Sequence, residues 1–375
     1  MKITKIETIR APEYRHIVWV RIHTDDGLIG LGETYLYPEP VKALIEQVFG
    51  PNFLLGKDPL QIETHWRAMF ERCSYAGWAG AEMRAMSAID IALWDILGQK
   101  TGQPIYQLLG GRFRERIKVY NTCGPHGQFD FNKNADEFAL DLLESGINAM
   151  KVWPFDGFAR QTYGQYLSPT DLKKALDPVR KIRQAVGDKM DIAMEFHSYW
   201  NLNCAVRIAQ ALEEYAVMWL EDMLLPDNLT AYKQLSEATR LPLTISERLL
   251  TRYQFLPVMQ QGIARIIMPD VEWCGGISEG KKIATMAETF QLPIAFHNYG
   301  GPVLNFASAH VAANIPNLMV LETGRNLLAN WTSEMITKPV VVKDGHMELP
   351  EGAGLGTALQ ADFLKRSDLV VGTVS

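Results

Sequence analysis

Apolar and polar positions alternate in two different ways along the chain. Near the N-terminus, Val18, Val20 and Ile22 alternate with other residues, and the turn sequence DDGLIG follows. This period of two predicts a β-hairpin, and KITKIETIR predicts a third strand. From Ala81, apolar residues recur at helical spacing until a stretch rich in glycine and proline. A strand-then-helix region is therefore expected, ending near residues 112–116.

Beyond that boundary, eight short apolar runs recur, and each run ends in a polar residue. The runs are IKVYNTC, INAMKVW, MDIAME, AVMWLE, PLTISE, ARIIMPD, PIAFH and LMVLE. The last six end at Glu195, Glu221, Glu247, Asp270, His297 and Glu322. One strand, one helix and two loops fill such an interval, so the pattern predicts βα units in a parallel barrel. Residues 156–171, DGFARQTYGQYLSPTD, are predicted to form a loop insertion before a helix that starts near Thr170.

Composition narrows the classes of protein that fit this pattern. The chain has 375 residues, of which 47% are hydrophobic and 21% charged, as in a packed soluble protein. The net charge of -6 argues against a nucleic-acid surface. The four cysteines form no C-x-x-C pair, and no apolar run reaches the length of a membrane span. We therefore expect a cytoplasmic protein without a membrane or nucleic-acid partner.

Three carboxylates, Glu195, Glu221 and Glu247, end three successive predicted strands. In a barrel of this kind all the C-terminal strand ends open onto one face. Like charges at that distance resist joint ionisation unless a cation neutralises them. Oxygen ligands favour Mg²⁺, or Mn²⁺, over zinc. A single strand-end glutamate is more often a helix cap or an ion-pair partner, but three at matched positions favour a metal site.

Two histidines stand at predicted strand ends. In EFH, Glu195 and His197 are two positions apart, so both side chains would point the same way if the strand continued to His197. His297 and Asp270 end neighbouring strands, and their side chains could meet. A carboxylate bonded to Nδ1 fixes the tautomer and raises the basicity of Nε2, as a general base requires. The alternative is that His297 bridges two loops.

Several motifs resemble the mandelate racemase group of the enolase superfamily over nearly the whole chain. They are AEMRAMSAIDIALWDILGQKTGQPIYQLLGG, MPDVEWCGG, AFHNYGGP and LETG, together with the three strand-end glutamates. The resemblance implies a modified (β/α)7β barrel at residues 116–349 and an α+β capping domain at residues 1–115, completed by about 350–375. It also implies one Mg²⁺ per subunit, held by Glu195, Glu221 and Glu247, and removal of the proton α to a carboxylate.

The resemblance assigns roles to further residues. His297 with Asp270 would be the general base, and Glu322 would hydrogen-bond the enolised carboxylate oxygen or, alternatively, tie loops together. The position of His197 is similar to that in acid-sugar dehydratases, notably galactonate dehydratase, where a histidine protonates a departing hydroxyl. His197 could instead orient its neighbours or serve as a loop histidine.

Two further residues have alternative interpretations. Many members of the group carry a K-x-K pair at the second barrel strand, whereas this chain reads MKVWP, with Lys151 but Trp153 at the second place. This departure disfavours a two-base racemase and shifts weight to the histidines. Lys151 either supports the substrate carboxylate or pairs with a metal-ligating glutamate. Trp78, in AGWAG, either forms part of a lid over the mouth or packs between cap and barrel.

The sequence as a whole predicts a Mg²⁺-dependent dehydratase of a sugar acid, with a 2-keto-3-deoxy sugar acid as its product. An epimerase or racemase that uses the same dyad and a second base is the alternative within the enzyme class. A non-catalytic barrel that binds a carbohydrate acid is the alternative from another class. A glycosidase, with its paired acids, fits the dyad and the three glutamates less well. We also expect a homo-oligomer.

Overall fold

The computed structural model describes residues 1–331 and 333–375, and its first sheet joins the two ends of the chain. Its four strands are β1 at Ile3–Arg10, β2 at Ile17–Thr24, β3 at Ile29–Tyr35 and β14 at Val370–Val374. The sheet is antiparallel, with the strand order β14, β1, β2, β3. The predicted N-terminal strands are therefore present, and the C-terminal return adds the fourth.

Helices pack against this sheet and form the cap with it. They are α1 at Pro38–Leu44, a π-helical segment at Ile45–Leu54, α2 at Ile62–Ser74 and α3 at Ala81–Thr101. Helix α3 can lie close to β3 because that strand carries Gly30 and Gly32. A Cβ atom on Gly32 would lie 1.9 Å from the carbonyl oxygen of Ala88. Larger residues at these positions would push α3 away from the sheet.

Eight parallel strands form the barrel, and β11 pairs with β4 to close it. They are β4 at Arg116–Thr122, β5 at Ala149–Val152, β6 at Asp191–Glu195, β7 at Trp219–Glu221, β8 at Leu243–Ile245, β9 at Ile266–Ile267, β10 at Ile294–Phe296 and β11 at Leu318–Thr323. A hairpin of β12 (Val342–Lys343) and β13 (His346–Glu348) pairs antiparallel with β4. The predicted fold class, a (β/α)7β barrel with an α+β cap, is confirmed.

The remaining helices surround the barrel or join it to the cap. They are α4 at Ile105–Leu108, α5 at Phe131–Glu144, α6 at Asp156–Thr162, α7 at Pro169–Val186, α8 at Leu202–Leu212, α9 at Leu229–Ala238, α10 at Thr251–Gln260, α11 at Gly276–Thr289, α12 at Pro302–Asn314, α13 at Arg325–Leu328 and α14 at Ala361–Leu364. Two 3₁₀ turns lie at Gly187–Lys189 and Glu213–Tyr215. No helix in residues 1–331 or 333–375 is long and apolar enough to cross a membrane.

The insertion after β5 differs from its prediction as a loop because it contains the short helix α6. The helix expected near Thr170 begins at Pro169. Its N-cap is Ser168, whose hydroxyl oxygen accepts a hydrogen bond from the Asp171 N–H at 3.0 Å. The insertion is therefore an ordered structure beside the barrel mouth.

Side chains from the strands fill the barrel interior. A buried cluster there consists of Tyr120, Ala149, Ala193, Trp219, Ile266, Met268, Ala295 and Val320. Because side chains alternate along a strand, the opposite faces of the same strands pack against the helices. This core leaves the strand ends as the place where polar side chains meet.

Buried hydrogen bonds attach the cap to the barrel. The indole N–H of Trp66 donates to the Gly275 carbonyl at 2.9 Å, and the hydroxyl of Ser278 donates to Asp90 at 2.6 Å. Asp95 of α3 accepts the N–H of Leu355 at 2.8 Å, so the C-terminal segment EGAGLG is tied to the same helix. The cap is held over the C-terminal ends of the barrel strands.

Candidate active site

His297 and Asp270 form a close pair at one side of the mouth. The two residues are bridge partners just beyond β10 and β9, and His297 Nδ1 lies 2.6 Å from Asp270 Oδ2. Burial alone would lower the pKa of His297, but the charges of Glu322 and Asp270 raise this pKa to about 9. The backbone N–H of Glu272 donates to the other Asp270 oxygen at 2.7 Å. This arrangement orients the imidazole and makes it basic.

Glu322 lies between this histidine and Lys151. His297 Nε2 is 3.9 Å from Glu322 Oε2, and Lys151 Nζ is 3.0 Å from Glu322 Oε1. The hydroxyl of Thr122 and the N–H of Asn298 also donate to the Glu322 carboxylate. Burial would raise the pKa of Glu322, but Lys151 and His297 lower it to about 2. Glu322 is therefore an ionised group that accepts hydrogen bonds.

Lys151 is surrounded by acids. Its Nζ lies 2.6 Å from Glu221 Oε1 and 3.5 Å from Glu195 Oε2, in addition to its contact with Glu322. Burial opposes the charged form, but the surrounding carboxylates, Glu221 first, raise the pKa of Lys151 well above its ordinary value. The ammonium group is thus a fixed positive charge. Of the two roles predicted for Lys151, pairing with the strand-end glutamates is the one that these distances support.

The three glutamates predicted as metal ligands lie at successive strand ends and are all buried. Glu195 and Glu221 are register partners on β6 and β7. Burial raises the pKa of Glu195 to about 7, and burial with the Glu195 charge raises that of Glu221. Glu247 is only 7% exposed, and its Oε2 has no hydrogen-bond partner among the residues that the structure describes.

These acids are not arranged as a finished metal site. Across residues 1–331 and 333–375, no three His, Cys, Asp or Glu side chains already surround one ion position. Lys151 lies against two of the three glutamates instead. The metal-binding roles of Glu195, Glu221 and Glu247 therefore stay predictions.

His197 lies on the other side of the mouth. Strand β6 ends at Glu195, and His197 has a positive φ of 50°, so the alternation expected for EFH does not extend to His197. The backbone N–H of His197 donates to Glu195 Oε1 at 2.6 Å. Its Nδ1 lies 2.8 Å from Asp156 Oδ2. His197 therefore has a carboxylate of its own within ion-pair distance, although the two groups are not in hydrogen-bond geometry.

Trp78 lies in the cap near the seam with the barrel. Its ring packs against Phe70 with centroids 5.5 Å apart, and Phe70 stacks on Tyr253 of the barrel. These contacts support the packed alternative for Trp78, and its role in substrate binding stays a prediction.

Sequence reasoning missed two acids at the site. Asp156 is buried in α6 beside His197, and nothing in the apolar pattern indicates it. Asp222 follows Glu221 directly and is buried next to Ser246 and Arg248, which donate to it at 2.6 and 3.1 Å. The adjacent acids in WLED are the one sequence signal for Asp222.

Two family models match most of the chain. Residues 6–110 match the mandelate racemase/muconate lactonizing enzyme N-terminal domain, and residues 134–363 match the enolase C-terminal domain-like family. The chain is 32% identical to D-xylonate dehydratase of Haloferax volcanii, over 97% of this chain and 88% of that protein. It is 33% identical to D-galactonate dehydratase of Variovorax paradoxus, over 90% and 85% respectively.

A solved structure is similar over the full length. It is an enolase of the mandelate racemase subgroup from Agrobacterium tumefaciens, 45% identical, with a TM-score of 0.92 and coverage of 100% of this chain and 99% of that one. The family expected from the motifs is thus confirmed. The chain belongs to the mandelate racemase/muconate lactonizing enzyme family of the enolase superfamily and is related to its acid-sugar dehydratases.

Proposed function

We propose that this protein is a Mg²⁺-dependent dehydratase of a sugar acid, an aldonate or an aldarate. One observation carries the proposal: two Asp–His pairs lie on opposite sides of the mouth. His297 follows the seventh barrel strand and His197 follows the third, and these strands lie on opposite sides of an eight-stranded barrel. The names of the related dehydratases support the same class of reaction.

The acid cluster has the chemistry of a site for a divalent cation. Glu247 is a buried carboxylate without an ion pair among the described residues, and burial of such a charge is costly unless a cation accompanies it. Glu195, Glu221 and Glu247 would hold the ion, and their oxygens suit Mg²⁺. When bound, this ion supplies positive charge to the substrate carboxylate as negative charge develops there.

His297 begins the reaction by taking the proton from C2. Its Nδ1 is held by Asp270, so Nε2 is the free nitrogen, and it faces the mouth near Glu322. The C–H electron pair moves toward the carboxylate and forms an enediolate. The ammonium group of Lys151 pairs with the surrounding glutamates. The negative charge of a bound carboxylate would favour the protonated form of Glu322, which then donates a hydrogen bond to the enolised oxygen. The proton therefore rests on His297 after this step.

His197 completes the elimination from the other side. It donates a proton to the 3-hydroxyl as the C3–O bond breaks, and water leaves with the electron pair of that bond. The enediolate electrons form the C2–C3 double bond, and the resulting enol becomes the 2-keto-3-deoxy sugar acid. Because His297 and His197 act from opposite sides, the hydrogen and the hydroxyl leave in an anti arrangement.

The two pairs also suit a two-base epimerase, in which His197 would return the proton to the opposite face of C2. Incubation with Mg²⁺ and a panel of aldonic and aldaric acids distinguishes the two reactions. A dehydratase releases a 2-keto acid, whereas an epimerase gives the C2-inverted sugar acid without a 2-keto product. Inversion without keto acid, across a panel that includes the true substrate, would overturn the dehydratase proposal.

A further inference from the structure

Arg84 is a cap residue that reaches the barrel mouth. It lies in the first turns of α3, and its guanidinium carbon is 3.9 Å from the centroid of the Trp273 ring. The Trp273 ring in turn lies 5.1 Å from the ring of His297. One aromatic ring therefore separates Arg84 from the proposed base. Arg84 thus lies one ring beyond His297 on this side of the mouth, within reach of the far end of a substrate whose C2 is beside His297.

The guanidinium of Arg84 lacks an acidic partner. Within residues 1–331 and 333–375, it donates a hydrogen bond to the carbonyl oxygen of Tyr35 at 3.0 Å, and no acid lies within ion-pair distance of it. Burial lowers the pKa of Arg84, while the more distant charges of Asp270 and Glu272 oppose this effect. An arginine in such a place has free donors that can recognise a carboxylate in a bidentate manner.

A second hydrogen-bond donor, the indole N–H of Trp273, lies beside Arg84. Trp273 is only 9% exposed, and its indole N–H has no hydrogen-bond partner within residues 1–331 and 333–375. The acids around it, Asp270 and Glu272, would repel an anionic substrate end that met no cation here. Arg84 offers that cation, stacked in a fixed orientation on Trp273.

We propose that Arg84 is a specificity-determining residue whose guanidinium binds a second carboxylate at the far end of the substrate. The preferred substrate is then an aldarate, a sugar acid with a carboxylate at each end. An aldonate of the same stereochemistry carries a neutral hydroxymethyl group at that end and lacks the charge that Arg84 recognises. This inference rests on the proposed dehydratase function and specifies its substrate class.

The test compares an aldonate with the aldarate of the same stereochemistry, with Mg²⁺ present and 2-keto acid as the readout. The wild type should have the higher kcat/KM for the aldarate. Arg84→Gln should lower that value by about 10- to 100-fold, mainly through KM, because a charge-assisted hydrogen bond is lost. The value for the aldonate should change by less than about threefold. Arg72→Gln, at an exposed arginine of α2, is the matched control and should leave both values unchanged.

Arg84→Lys keeps the charge but not the planar fork and should retain part of the preference. If Arg84→Gln does not fold, a fall in the aldarate-to-aldonate ratio in Arg84→Lys carries the test. Equal losses on both substrates, or a wild type that prefers the aldonate, would overturn the role of Arg84 while leaving the dehydratase intact. A wild type that forms no keto acid from any sugar acid defeats the proposed function, and this inference falls with it.

Discussion

Replacement of Asp156 by asparagine should separate the two halves of the proposed reaction. The Asp156 carboxylate is buried, and its Oδ2 lies 2.8 Å from His197 Nδ1. Asparagine keeps nearly the same shape and a carbonyl oxygen but loses the negative charge. His197 would keep its place while losing the negative charge that lies 2.8 Å from its Nδ1. Donation of a proton to the leaving hydroxyl should therefore slow, whereas proton removal by His297 should not.

The expected size follows from the geometry of the pair. The two atoms lie at ion-pair distance but not in hydrogen-bond geometry, and an exposed ion pair is worth about 0.2–1 kcal/mol. The His197 side chain is 36% exposed, so solvent screens this interaction. A loss of about 1 kcal/mol corresponds to a roughly fivefold slower dehydration. Removal of His197 itself, in His197→Asn, should have the larger effect of about 10²- to 10⁴-fold.

Two rates are needed to check this prediction. Formation of 2-keto acid reports the complete reaction, and exchange of the C2 hydrogen with deuterated solvent reports proton removal alone. Asp156→Asn should slow the first and leave the second unchanged or easier to observe. Asp188→Asn, at an exposed acid in the 3₁₀ turn after α7, is the control and should alter neither rate. A parallel fall of both rates in Asp156→Asn would refute the division of labour between the two histidines.

Two other predictions concern the metal and the pH dependence of stability. Glu221→Gln should lower the Mg²⁺ affinity, measured by calorimetry, and abolish turnover while the fold stays intact. Full activity of the wild type in excess chelator would contradict the proposed metal role. The pKa of His297 is raised from 6.5 to about 9, so its contribution to stability is complete below pH 6.5 and is lost as the pH rises through 9. In metal-free denaturation experiments, the free energy of unfolding of the wild type should fall by about 3 kcal/mol relative to that of His297→Asn over that pH interval. A difference between the two proteins that does not change with pH would argue against the buried pair with Asp270.

The repeat of apolar runs was sufficient to predict the barrel and the places of its polar strand ends. Each run is a buried strand, so its last residues must lie at one face of the barrel. This reasoning brings His297 to Asp270 and places Glu195 beside Glu221, as the structure has them. Features that depend on strand order alone can be predicted in this way.

Features that depend on loops and side-chain direction could not be predicted. Asp156 lies in an insertion without apolar periodicity, and its partner His197 adopts a left-handed backbone conformation that ends the strand alternation. The contacts of Lys151 with acids from three strands depend on where its long side chain turns. Arg84 looks like any polar position of a cap helix until the packing of α3 brings it onto Trp273.

The most direct test of the account is C2 hydrogen exchange by His297→Asn in deuterated solvent, with Mg²⁺ and a sugar acid that the wild type dehydrates. His297 is the imidazole held by Asp270 beside Glu322, and no enediolate forms unless it takes the C2 proton. The account predicts that the variant neither exchanges the C2 hydrogen nor forms 2-keto acid, although it still binds Mg²⁺. Undiminished exchange in this variant would contradict the account and transfer the role of the base to His197.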